Sequence, residues 1–187
     1  MAKPLPPTRY IALLRGINVG RAKRIAMAEL RGIIEELGFT EVRTLLNSGN
    51  AVFQGTRALP GRIAKPIEAA IKARFGFSVA VVVLTAEDLS AIVVENELRH
   101  AASQPSRFLV AFAAHVSVLD QARPLLKESW TPDAIFVGSK AVYLWCAGGI
   151  LESRLLKAFT RATGDCATAR NWATVLKLLA ATVVPDR

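Results

Sequence analysis

The chain alternates short, uniformly apolar runs with longer stretches whose apolar residues recur every three or four positions. "RYIALLR" (9–15) is brief, apolar and flanked by charge, which predicts a buried strand. In "MAELRGIIEELGF" (27–39), Met27, Leu30, Ile33, Ile34 and Leu37 share one helical face, and Gly38 supplies the left-handed residue that closes it. "VRTLLNSGNAVFQG" (42–55) holds two strand patterns around Asn47-Ser48-Gly49 and predicts a hairpin. "RIAKPIEAAIKARFG" (62–76) predicts a helix with Pro66 in its first turn, where a missing amide costs least. "SVAVVVL" (78–84) is a strand rich in β-branched residues, and Thr85 is placed to cap a helix through Leu89 and Ile92, with Asp88 as its acidic partner.

This order, β-α-β-β-α-β, is the split arrangement of a ferredoxin-like sandwich. Residues 95–106 lose apolar periodicity and predict a linker, after which the order restarts. "RFLVAFAAH" (107–115) is a strand, "SVLDQARPLLKESW" (117–130) a helix bent or interrupted at Pro124, and "DAIFVGSKAVYLWC" (133–146) a hairpin turning at 138–140. "ILESRLLKAFTRATG" (150–164) is a helix and "CATAR" (166–170) a last short strand. The closing helix "NWATVLKLLA" buries Trp172, Val175, Leu176 and Leu179. The expected architecture is α+β: two tandem ferredoxin-like halves, 9–94 and 107–182, the second with a C-terminal helix, between tails at 1–8 and 183–187.

Topology then brings distant residues together. In such a half the first strand lies antiparallel beside the third, so the corner leaving strand one shares a sheet end with the turn between strands two and three. That places Arg15, Gly16, Asn18 and Gly20 beside Ser48, Gly49 and Asn50. Glycines there let backbone amides face outward together, a nest suited to an anion, and Arg15 adds a planar two-pronged donor. Lys23 and Arg24 stand just before the first helix, whose dipole also favours negative charge. "GINVG" is neither a P-loop nor a dinucleotide fingerprint. A second cationic place is Arg170, Asn171 and Trp172, where Asn171 caps the closing helix and Arg170 precedes its free amides. Arg154, Lys157 and Arg161 form a stripe that a solvated face explains.

The charge agrees with an anionic partner. The 187 residues carry 24 lysines and arginines against 15 acids, a net +9, and residues 1–60 alone hold nine cations and four acids. His100 and His115 have no second ligand at metal spacing, and Cys146 and Cys166 form neither a metal motif nor a disulfide framework, so no metal, cofactor or catalytic residue is assigned. The opening "MAKPLPPTRY" lacks an apolar signal core, and "SVAVVVLTA" is too short to cross a bilayer; the expected setting is cytoplasmic, without membrane partners.

Taken together, "RYIALLRGINVG", "MAELRGIIEELGFTEVRTLLNSGNAVF", "ARFGFSVAVVV" and "ATARNWATVLKLL" resemble the domain-of-unknown-function 1697 family of small bacterial proteins. The resemblance runs from about Arg9 to Leu179 and rests on the strand-one corner, the "SGN" turn and the "RNW" helix start. Departures are Arg21, where members often have a second glycine, and Ser153-Arg154-Leu155, where they often have Ser-Lys-Leu. The resemblance implies two linked α/β sandwich units and brings no established activity. The expected function is binding of a small, phosphate-bearing ligand at the Arg15 corner. The alternatives are nonspecific nucleic-acid binding and a non-enzymatic homo-oligomer built on a sheet edge.

Overall fold

The first apolar run, Thr8–Leu14 (β1), is buried on both of its faces from Tyr10 onward, as befits the inner strand of a sheet. The computed structural model describes residues 7–20, 22–99 and 104–183. Among them lie two four-stranded antiparallel sheets and six α-helices. The first sheet has β1, β2 (Thr40–Leu45), β3 (Asn50–Gly55) and β4 (Val81–Thr85) in the order β2-β3-β1-β4. The second has β5 (Phe108–Ala113), β6 (Ala134–Val137), β7 (Ala141–Trp145) and β8 (Ala167–Asn171) in the order β6-β7-β5-β8. Each sheet therefore puts its first strand between its third and fourth.

The helices α1 (Met27–Glu36) and α2 (Pro60–Phe75) cover one face of the first sheet. There Tyr10, Ala12, Leu14, Ala51 and Phe53 pack on Leu30, Ile33, Ile34, Ile63, Ile67 and Ile71. Tyr10 is fully buried, and its hydroxyl accepts from the Ala58 amide at 2.7 Å and lies 3.1 Å from the Ala58 carbonyl, so its polar end is satisfied. Leu37 stands at the C-cap of α1 and is exposed, one residue beyond the buried face.

Two expectations change here. Pro66 lies inside α2, because the helix starts earlier, at Pro60. A proline at the first helical position lacks only an amide that would have had no partner, so Pro60 is the natural start. The closing helix α6 (Trp172–Thr182) buries Trp172, Val175 and Leu178, while Leu176 is exposed. The three-residue spacing of those buried positions keeps them on one face, which Leu176 leaves.

In the second sheet, α4 (Ser117–Ala122) runs into a 3-10 turn at Arg123–Lys127, with Pro124 in its first positions. With α5 (Arg154–Thr163) it covers Leu109, Ala111, Val142 and Leu144 through Val118, Leu119, Leu155 and Phe159. The opposite face carries Phe108, Phe112 and Tyr143, all fully buried. Trp172 of α6 packs on Phe108, and the Tyr143 hydroxyl donates at 2.5 Å to the Ile92 carbonyl of α3 (Ala86–Glu95).

The element order restarts at β5, but compactness groups the chain as Met1–Glu87 with Leu178–Arg187, and Asp88–Lys177. The division passes through α3 and α6. Part of the 95–106 segment, namely 100–103, and the tails 1–6 and 184–187 lie outside the described residues. Among the described residues no helix is long and apolar enough to cross a membrane.

Gly49 fixes a close approach at the β2–β3 turn. It has φ +76°, and a Cβ there would lie 2.7 Å from both Leu14 Cβ and Ile17 Cδ1. Gly49→Ala is expected to destabilise by about 3 kcal/mol through left-handed strain and overpacking. Gly32→Ala, mid-helix in α1 with nothing near its added methyl, should stabilise by about 1 kcal/mol. Urea titration of the two variants checks the opposite signs; a neutral Gly49→Ala would show that the corner is loosely packed.

Candidate functional site

Pairing of β1 with β3 carries Leu13 opposite Asn50, and the Leu14 amide donates to the Gly49 carbonyl at 2.8 Å. The corner after β1 therefore sits against the β2–β3 turn, and the members of its central contact are 29 positions apart in the chain. That contact is Asn18. Its Nδ2 donates to the Asn47 carbonyl at 2.7 Å and the Ile25 carbonyl at 2.9 Å, and its Oδ1 accepts from the Ile25 amide at 3.0 Å. One carboxamide thus joins the corner, the approach to α1 and the hairpin turn.

Backbone handedness alternates along the corner. Gly16 (φ 63°), Asn18 (56°) and Gly20 (65°) are left-handed, while Ile17 and Val19 between them are not. Alternation of this kind turns successive amides toward one side, the geometry of an anion nest. Some amides are used internally: Asn18 donates to the Lys23 carbonyl at 3.1 Å and Arg15 to Ala80 at 2.9 Å. Among the described residues, no acceptor takes the amides of Gly16, Ile17, Val19 or Gly20. Arg15 is half-buried, and Lys23 and Arg24 are exposed nearby in the chain; Arg21 lies outside the described residues.

The expected residues thus divide by role. Asn50 is fully buried, and its Nδ2 donates to the Leu45 carbonyl and to Ser48 Oγ at 2.9 and 3.0 Å. Asn18, Asn50 and Gly49 build the corner. Arg15 is half-buried and Ser48 exposed at its edge.

Arg170, Asn171 and Trp172 belong to the other compact unit. Arg170 is buried in β8, and its guanidinium donates to Thr168 Oγ1 at 3.0 Å and the Ala169 carbonyl at 2.9 Å. Burial pulls its pKa down to about 10, which leaves it charged at neutral pH. Asn171 Oδ1 accepts from the Thr174 amide at 2.9 Å, the expected N-cap of α6, and Trp172 is a core residue. Arg154, Lys157 and Arg161 are exposed, as a solvated stripe requires.

Sequence reasoning missed a cleft of about 190 Å³ lined by Trp130, Asp133, Glu152, Ser153 and Arg154, among others. Asp133 accepts from Ser153 Oγ at 2.7 Å and the Ala147 amide at 2.8 Å, and Ser153 Oγ caps α5 through the Leu156 amide at 3.0 Å. Ser153 ahead of "RLLKAF" is a readable cap signal; nothing in the sequence marks Asp133. Both cysteines are free thiols, Cys146 buried and Cys166 exposed, and the described residues contain no group of three or more metal-type ligands.

Residues 8–143 match the family described as "Protein of unknown function (DUF1697)". Among solved structures the chain is similar to "conserved bacterial protein SP0830 from Streptococcus pneumoniae", at 24% identity and a TM-score of 0.77, over 94% of this chain and 98% of that one. That likeness concerns the fold. No curated protein matches the chain.

Burial raises the Cys146 thiol above its ordinary 9.0, with its hydrogen bond to Ser153 acting the other way. The unfolded thiol therefore ionises first, so this contribution to stability is complete below pH 9 and is lost as pH rises. Melting temperatures should fall from about pH 9 upward, and Cys146→Ala should flatten the decline between pH 9 and 10, below the ordinary value of 10.0 for Tyr143, which burial also raises. Calorimetry of both proteins across pH 7–10.5 tests this; identical slopes would show that the thiol ionises equally in both states.

Proposed function

The chain belongs to the DUF1697 family, whose function is unassigned, and from that premise we propose that it binds a small phosphate-bearing ligand at the Arg15–Gly20 corner. The observation that carries the reading is the alternating backbone at Gly16, Asn18 and Gly20, together with the amides of Gly16, Ile17, Val19 and Gly20, which meet no acceptor among the described residues and lie on the same short segment as Arg15. Backbone donors held by the fold need no reorganisation when an anion arrives, and a guanidinium supplies two parallel, charge-assisted hydrogen bonds. Lys23, Arg24 and the net charge of +9 draw anions toward this end. Asn18 and Asn50 are positioning residues, and Ser48 adds a hydroxyl. Strand orders β2-β3-β1-β4 and β6-β7-β5-β8 support reading each half as a ferredoxin-like sandwich, with the ligand at a loop end rather than on a sheet face. Nonspecific nucleic-acid binding draws on the same charge, but of the aromatics that a stacking surface would need, Phe53, Phe108, Phe112 and Tyr143 are fully buried and Trp145 is half-buried.

Inorganic phosphate at ten times its Kd, in low salt, should raise the melting temperature by roughly 3–6 °C. Arg15→Ala should abolish that rise, read for each protein as the shift from its own unliganded melting temperature. A flat response in the wild-type protein, or the same rise in Arg15→Ala, would refute the site. A polyanion mode would instead show a steep salt dependence spread over many cations.

A further inference from the structure

Two large apolar side chains are exposed at this same corner, and they flank the contact that ties it together. Val19, next to Asn18, is 74% exposed, and Leu46, next to Asn47, is 49% exposed; Asn18 Nδ2 and the Asn47 carbonyl are 2.7 Å apart. Leu46 also holds φ 57°, a left-handed conformation that Asn or Gly adopts far more readily than leucine. A strained backbone that presents an apolar side chain to solvent gains nothing for the fold. Such outliers gather where a ligand is held. Val19 is itself one of the four residues whose amides meet no acceptor among the described residues, and Leu46 adjoins Asn47, so the apolar side chains sit on the same two loops that Asn18 ties together.

We propose that the ligand of this corner is a phosphomonoester whose ester group is apolar or aromatic. The phosphate sits on the amides and Arg15, and the organic group lies against Val19 and Leu46. This rests on the phosphate-binding reading above and narrows it: free phosphate and small polar phosphate esters fill only half of the site.

The test compares methyl phosphate with phenyl phosphate by calorimetric titration at low salt. Phenyl phosphate should bind about tenfold more tightly, the gain expected from covering a modest apolar area. Leu46→Asn keeps a residue suited to the left-handed position, so it should melt at or above the wild-type temperature. It should weaken phenyl phosphate about fivefold and leave methyl phosphate within about twofold. Val19→Ser gives a second cut in the same direction that does not touch the turn. Equal affinity for the two esters, or an unchanged preference in both variants, overturns the apolar contact and leaves the phosphate reading standing. If neither ester binds the wild-type protein, the underlying reading fails and this inference with it.

Discussion

Everything proposed for this molecule depends on two loops being held edge to edge at one end of a four-stranded sheet. The β-ladder alone would bring them near, since Leu13 faces Asn50. Two further features lock them. Gly49 has no side chain, so the hairpin turn closes onto Leu14 and Ile17, and the Asn18 carboxamide spends its polar atoms on Asn47 and Ile25. Neutral hydrogen bonds of this kind each contribute on the order of 1 kcal/mol, but the larger effect is geometric. The left-handed residue needed at position 18 is held by its own side chain, and the alternation from Gly16 to Gly20 follows.

An anion receptor made this way differs from one made of side chains. Lysine and arginine heads must be ordered when ligand arrives, at a cost in rotamer freedom, whereas amides fixed by strand pairing have lost that freedom already. In the proposed site the full basicity of the chain would act mainly on encounter, and a few fixed donors beside Arg15 would set the geometry of the bound state. Under the same proposal the exposed Val19 and Leu46 would add contact area without disturbing the hydrogen-bonded interior.

Much of this was legible from spacing. The strand–turn–strand pattern of 42–55 and the helical face of 27–37 were enough to place Arg15–Gly20 beside Ser48–Asn50, because antiparallel pairing leaves little choice of sheet end. Asn171 was readable as a cap for the same local reason. What was not legible depended on tertiary geometry. Asn18 and Asn50 looked like ligand donors, and their side chains turn inward to backbone carbonyls, which composition cannot show. Pro66 was drawn to a helix start because the earlier Pro60 carries no apolar periodicity around it. The exposure and strained backbone of Leu46 leave no trace in "RTLLNSGN", where it reads as one more strand residue.

The most direct test follows the backbone amides themselves. In a nitrogen–proton correlation spectrum recorded during phosphate titration, the amides of Gly16, Ile17, Val19 and Gly20 should shift together and saturate with one dissociation constant, while those of Asn18 and Arg15, already bonded to carbonyls, move less. Shifts centred instead on the cleft around Trp130 and Arg154, or scattered over surface lysines without saturation, would contradict the account.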